Sequence, residues 1–407
     1  MTDYWQWLRH ADHQPRLMEM AYHHLLNIAI SRPWVHVGQI EESLEKAVVR
    51  SSRMAKADWS KKQQDHADWS GLANANVFLD GNTLPLELFE TLLDMLGPAT
   101  DSMLLCGAGL FSNPSIREAL LKRFPARLAI LQSSVWWVQP EIPQPSLGAR
   151  GAIFLPSFRD TRLVEENFAW RPELFEGLDL HVFDDNHEPA ESERLLAIAR
   201  ACGWHYHASG MGRHSDLAHR QIDYSPYNGF IWRSLTSLAD DYDYVVKLDT
   251  DTCLLAPDWW HEAAGRLAGR VAMLGTFELR PFYQVAPFWN TAWRNGWWRT
   301  VPALALGVQG GWYALSQEAL RRIRDMGFMP GPHKDFTEDG YMSYSAQLLG
   351  IEMLASTTTG SWWRNMRPAL AHVDHLKALH PLTRREWDEH GRDRQAMLAD
   401  REAEQPV

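Results

Sequence analysis

Three places in the chain set carboxylates where they can do chemistry. The first is Asp249-Thr250-Asp251, directly after Tyr244-Val245-Val246-Lys247-Leu248, a run that reads as a central strand. Two acids two residues apart at a strand end can hold a hard divalent cation, Mg²⁺ or Mn²⁺, and leave positions for phosphate oxygens. Placement matters more than the pattern, because Asp241-Tyr242-Asp243 repeats it at a solvated strand entry. The second place is Asp184-Asp185-Asn186, at the end of a strand expected over 178–183. The third is Glu338-Asp339, opening a helix whose Met342, Ala346 and Leu349 recur on one apolar face. Acidic decoration of a helix start is the plain alternative there. Gly307-Val308-Gln309-Gly310-Gly311-Trp312-Tyr313 adds paired glycines, which fit either close backbone approach to a ligand or a tight turn or bulge.

Taken in order, Ile153-Phe154-Leu155-Pro156-Ser157-Phe158, Val182-Phe183-Asp184-Asp185-Asn186, Val246-Lys247-Leu248-Asp249-Thr250-Asp251 and Glu338-Asp339-Gly340-Tyr341 make a recognisable set. It resembles the nucleotide-sugar glycosyltransferases of GT-A fold, most closely the large inverting family 2 type, over residues 152–380. The resemblance implies a metal-dependent hexosyltransferase. Its donor would be a UDP- or GDP-sugar, its acceptor a hydroxyl of a glycan or lipid-linked molecule, and its setting the synthesis of bacterial surface polysaccharide or glycoconjugate. It implies donor contacts from Ser157, Asp185, Asp249 and Asp251, with Asp185 on the base or ribose. It implies metal ligation by Asp249, Asp251 and a C-terminal histidine, His372 in preference to His375. Asp339, paired with Glu338, is the implied acceptor base, and Gly310, Gly311 and Trp312 the implied acceptor contacts. The chain departs from the family in having Asn186-His187 where Gly and Ser are frequent, and in lacking the Gln-x-x-Arg-Trp signature of processive members. On chemical grounds such a transfer needs a Lewis acid at the leaving diphosphate, a carboxylate for the acceptor proton and a pocket orienting both sugars.

Two other functions compete. Leu248-Asp249-Thr250-Asp251-Thr252 also fits a haloacid-dehalogenase-type phosphatase with Asp249 as nucleophile, although that motif normally opens its domain and here about three strand-helix units precede it. A non-catalytic carbohydrate-binding protein would have less use for the retained acids.

The elements that must position these residues are those of an α/β, GT-A-like domain over 148–380: strands over 152–155, 178–183, 204–208, 244–248, 271–274 and 312–315, alternating with helices over 191–202, 227–238, 258–267, 316–326 and 338–349. A Pro- and Gly-rich stretch at 139–151 separates it from an additional N-terminal domain, mainly helical or α/β, over 1–147. In that domain a helix is expected over 39–58 and strands over 103–106 and 128–131, while Gly107-Ala108-Gly109 lacks the rest of a dinucleotide fingerprint. Residues 381–407 read as a polar tail.

The chain has 407 residues, enough for two or three domains, with 22% charged residues, and should fold. Forty basic against 51 acidic residues give −11, which excludes bulk attraction to nucleic acid. Three scattered cysteines, no signal-like N-terminus and no long apolar run point to the cytoplasm, with peripheral contact at the inner membrane face left open. Twenty tryptophans exceed both 15 Phe and 11 Tyr, and Trp289, Trp293 and Trp297 recur every fourth residue. That stripe fits a core face better than an acceptor platform or a membrane-facing lid. His205-Tyr206-His207 puts two imidazoles on one strand face, too few for zinc.

Overall fold

The computed structural model describes residues 148–209, 225–280, 305–328, 338–361 and 376–389, with 119–120, 122–124 and six strands nearer the N-terminus. The chain divides into two units, one of Met1–Ile142 with Phe277–Gly307, the other of Pro143–Thr276 with Val308–Val407.

The first unit carries β1 (Trp34–Val37), β2 (Met54–Lys56), β3 (Asn76–Asp80), β4 (Met103–Cys106), β5 (Leu128–Gln132) and β6 (Val135–Val138), in the order β2-β1-β3-β4-β6-β5. The first four are parallel and β6 runs antiparallel to both β4 and β5. Strands β4 and β5 fall where the sequence puts them. Strands β1 to β3 are runs of three to five residues, too short for periodicity to separate strand from helix. Met54–Lys56 is a strand at the end of the expected helix over 39–58, whose residues 39–53 lie outside the described ones.

The second unit is α/β, with a seven-stranded sheet covered by helices. Its strands are β7 (Gly151–Ser157), β8 (Leu178–Asp184), β9 (His205–Ala208), β10 (Tyr244–Leu248), β12 (Ala272–Arg280), β13 (Ala305–Ser316) and β14 (Glu352–Ala355). Their order is β14-β12-β13-β10-β7-β8-β9. Strands β10, β7, β8 and β9 are mutually parallel, and β13 is antiparallel to β10. All five side chains of β10 are buried, as are six of the seven in β7, the continuous apolar pattern of strands covered on both faces. The core joins Ile153, Leu155, Val182, Val246, Leu248, Trp259 and Trp312.

The helices are α1 (Pro189–Cys202), α2 (Ser225–Ser237), α3 (His261–Leu267), α4 (Gln317–Met326) and α5 (Glu338–Leu348). Pro189 supplies the first turn of α1, and the Ser316 hydroxyl caps α4 by accepting from the Ala319 N–H at 3.3 Å. A small second sheet pairs β11 (Cys253–Leu254), just after the Asp249-Thr250-Asp251 turn in sequence, with β16 (Ala378–His380), which in turn pairs with β15 (Thr359–Ser361). The fold runs past residue 380 into the expected tail: Leu382 is buried and its N–H donates to the Asp251 carbonyl at 3.0 Å. Among the described residues no helix is long and apolar enough to cross a membrane.

Candidate metal and nucleotide site

The chain passes outward from β7 to β8 and β9, then returns to place β10 on the other side of β7. That reversal is a topological switch point, and the crevice beyond the strand carboxyl ends there is where open α/β sheets bind ligands. Ser157 ends β7 and Asp249 follows β10. Between them lies Asp160, which the sequence reading did not single out. Its carboxylate accepts from the Ser157 hydroxyl at 2.6 Å and, through its other oxygen, from the Thr250 hydroxyl. Burial pushes Asp160 up to about 6, against the lowering effect of those two hydrogen bonds.

The β8 acids divide. Asp184 is occupied within the protein, accepting from the Asn186 backbone and side chain, each at 2.8 Å, and from the Tyr206 hydroxyl. Asp185 is tied to the end of β7. Its N–H donates to the Ser157 carbonyl at 2.9 Å, and its Oδ1 accepts from Ser209 at 3.0 Å.

Asp249 and Asp251 meet a third ligand-type group, His380. Its Nε2 lies 3.0 Å from Asp251 Oδ1 and 3.7 Å from Asp249 Oδ2. One ligand atom from each of the three falls within 4.8 Å of the others. The Ser361 hydroxyl sits 2.9 Å from His380 Nδ1, so donation from Nδ1–H leaves the Nε2 lone pair facing the aspartates. Two carboxylates and an imidazole, all partly exposed, are a donor set that fits a divalent cation with open positions.

The paired glycines explain how His380 gets there. A Cβ at Gly311 would sit 1.8 Å from His380 Cγ, so the ring occupies space that any side chain would fill. A Cβ at Gly310 would meet Glu338 Oε1 at 3.0 Å. Trp312, expected at the acceptor, is 1% exposed and packed in the core with Leu248 and Val246. Strand alternation turns it to the face opposite Gly311, so the Gly-Gly-Trp segment brings room to the site and no stacking surface from this indole.

Behind the aspartates Lys247 is wholly buried. Its ammonium donates to Asp249 Oδ1 at 2.5 Å and to the Gly310 carbonyl, and pairs with Glu338 Oε1 at 3.0 Å. Burial works against its charge, but Asp249 and Glu338 outweigh it and hold the ammonium protonated. Glu338 is pushed up to about 7, chiefly by burial and against the pull of Lys247. Asp339 is buried beside it at the start of α5, and its carboxylate accepts from the Gly340 N–H at 2.7 Å.

Seven of the ten expected site residues thus gather around one crevice or immediately behind it: Ser157, Asp185, Asp249, Asp251, Gly310, Gly311 and Glu338. Asp339 follows Glu338, and Trp312 is turned into the core. His372, with His375, Trp289, Trp293 and Trp297, lies outside the described residues. His380 was missed because nothing local distinguishes it among 18 histidines. Lys247 had a signal, a charge within an otherwise apolar strand.

No protein-family model and no curated protein matches the chain. Solved structures with some likeness include mouse xyloside xylosyltransferase 1, 14% identical over 57% of this chain and 96% of that one, with a TM-score of 0.34. Another is the mannosyltransferase PcManGT from Pyrobaculum calidifontis in complex with GDP-Man and Mn²⁺, 17% identical over 74% of this chain and 70% of that one, at 0.35. A third is glucosyl-3-phosphoglycerate synthase from Mycobacterium tuberculosis, 21% identical over 52% and 71%, at 0.30. Likeness this loose leaves the activity to be argued from the site itself.

Proposed function

We infer that the second unit is a metal-dependent glycosyltransferase of GT-A type, moving a sugar from a nucleoside diphosphate to an acceptor hydroxyl. The observation that carries this reading is the convergence of Asp249, Asp251 and His380 at the carboxyl end of β10, beside the β7–β10 switch point. A cation held by these three supplies Lewis acidity to a departing diphosphate. The mixed oxygen and nitrogen set suits Mn²⁺ better than Mg²⁺. The remaining tasks belong to the chain's own groups. Asp185 and Ser157 are the proposed nucleoside contacts, and Asp160 ties the Ser157 hydroxyl to that of Thr250. Asp339 is the proposed base that accepts the acceptor proton as its oxygen attacks the anomeric carbon. The Glu338–Lys247 pair fixes that end of the crevice.

A UDP- or GDP-sugar donor, a glycan or lipid-linked acceptor, inverting stereochemistry and peripheral membrane contact belong to the same proposal. The phosphatase reading fares worse, because the proposed nucleophile Asp249 has Oδ1 tied to Lys247 and Oδ2 facing His380. Incubation with UDP-glucose and GDP-mannose tests the reading. Release of free nucleotide that needs Mn²⁺ and disappears in Asp251→Ala supports it. Phosphate release from a simple phosphomonoester without any nucleotide sugar would favour the phosphatase.

A further inference from the structure

The unit of Met1–Ile142 with Phe277–Gly307 repeats on its own strands the device that builds the site above. Strand β1 pairs in parallel with β2 on one side and β3 on the other. The chain therefore goes from β1 to β2, crosses back over β1 to reach β3, and continues to β4. This reversal is a second topological switch point, between β1 and β3. The register sets Val37, the last residue of β1, beside Leu79, and Asp80, the last of β3, beside Cys106, the last of β4. The glycosyl transfer proposed above uses none of these residues.

In sequence, every one of the four parallel strands runs out into glycine or acid. Gly38 follows β1, Asp58 comes two residues after β2, Asp80-Gly81 spans the end of β3, and Gly107-Ala108-Gly109 follows β4. Asp58 falls about 20 residues past β1, the spacing at which an acid meets a ribose diol in sites of this topology. The stretch Gly38-Gln39-Ile40-Glu41-Glu42-Ser43 lacks the further glycines that cradle a diphosphate and adds two acids. Charge there works against a dinucleotide.

We propose that the carboxyl ends of β1 and β3 form a second ligand site, for a nucleoside cofactor with a free ribose diol, no phosphate and a neutral or cationic remainder. The chain would then combine two nucleoside-recognising units of different chemistry.

Calorimetric titration of the full chain tests this, with S-adenosylmethionine, adenosine and NAD⁺ as probes, all in EDTA so that metal-dependent binding at the other unit is silent. The expected result is that S-adenosylmethionine or adenosine binds at least tenfold more tightly than NAD⁺. Asp80→Asn and Asp58→Asn should each weaken that binding at least tenfold, and Asp251→Ala should leave it unchanged. Circular dichroism and thermal melting establish that each variant folds. If both aspartate variants unfold, the wild-type probe preference and its indifference to Asp251→Ala decide the matter. Absence of binding by any probe, tighter binding of NAD⁺, folded Asp80→Asn and Asp58→Asn variants that bind as the wild type does, or loss of binding in Asp251→Ala would each overturn the proposal.

Discussion

Lys247 is buried with its ammonium against Asp249, Glu338 and the Gly310 carbonyl, so its removal leaves two carboxylates without their counter-charge. Lys247→Met should destabilise the second unit by about 3 kcal/mol, at the lower end for a broken buried pair because Asp249 keeps some solvent. Urea unfolding measures this, and Lys247→Met/Glu338→Gln should recover part of the loss. A change within experimental error would mean that the pairing contributes nothing. The metal ligands make a separate prediction. His380→Ala should weaken Mn²⁺ binding at least about tenfold, and Ser361→Ala, which leaves the ring but frees Nδ1, should weaken it less. Gly311→Ala should act like His380→Ala, since the new methyl group and the imidazole cannot share one place.

At the scale of elements, the Asp249-Thr250-Asp251 turn is held by β13 and by the small second sheet. The Asp249 N–H donates to the Gly311 carbonyl at 2.9 Å, and β11 pairs with β16, whose last residue is His380. Strand β15, which carries Ser361, is anchored at its start by buried Glu262 of α3. That carboxylate accepts from the Thr357 and Thr358 N–H groups at 2.9 and 3.0 Å and from the hydroxyls of Ser356, Thr357 and Thr358, and pairs with Arg266 at 3.3 Å. Burial raises the Glu262 carboxyl, but Arg266 and these donors bring it below its ordinary value. Glu262→Ala should therefore cost on the order of 3 kcal/mol and loosen Mn²⁺ binding through β15, although Glu262 touches no ligand. Equal metal affinity in the folded variant would refute that coupling.

These elements show what was legible in the sequence. Strands with acids at their ends, Tyr244–Leu248 and Leu178–Asp184, announced both their structure and their chemistry through an apolar run stopped by aspartate. The helices α1 and α4 were marked by proline or serine at one end and glycine at the other. His380, Asp160 and the Glu262 anchor were not legible, because each acts through contacts 90 or more residues distant, which no local pattern carries. Strand β2, inside the expected helix over 39–58, was misread for a different reason, having too few residues for a period of two to be distinguished from 3.6.

At the scale of the whole molecule, the edge of the second unit's sheet makes a contribution to stability that acid removes. His181 of β8 stacks between His205 and His207 of β9, with ring centroids 4.5 and 5.2 Å away. Its Nδ1 is 2.9 Å from His207 Nε2, and its Nε2 is 2.8 Å from the hydroxyl of Tyr242, which itself bonds Asp179. Burial and then its two histidine neighbours push His181 down to about 4, with Asp179 opposing, and burial lowers His207 as well. At these two imidazoles the unfolded chain therefore binds more protons than the folded one below about pH 6.5, so their contribution to stability is full above that pH and is lost as pH drops toward 4, while the raised carboxyls of Asp160 and Glu338 act in the opposite direction. Urea midpoints across the window, compared between the wild type and His181→Phe, should show the wild type losing more stability than the variant as pH falls. An unchanged slope would place the acid sensitivity elsewhere.

The central claim, a metal-dependent nucleotide site at the end of β10, is tested most directly by calorimetric titration of UDP, GDP and CMP with Mn²⁺, with EDTA and with Asp251→Ala. The account predicts that one nucleotide binds only with Mn²⁺ and that Asp251→Ala abolishes this binding. Binding indifferent to EDTA and to Asp251→Ala, or no binding of any nucleotide under any condition, would contradict it.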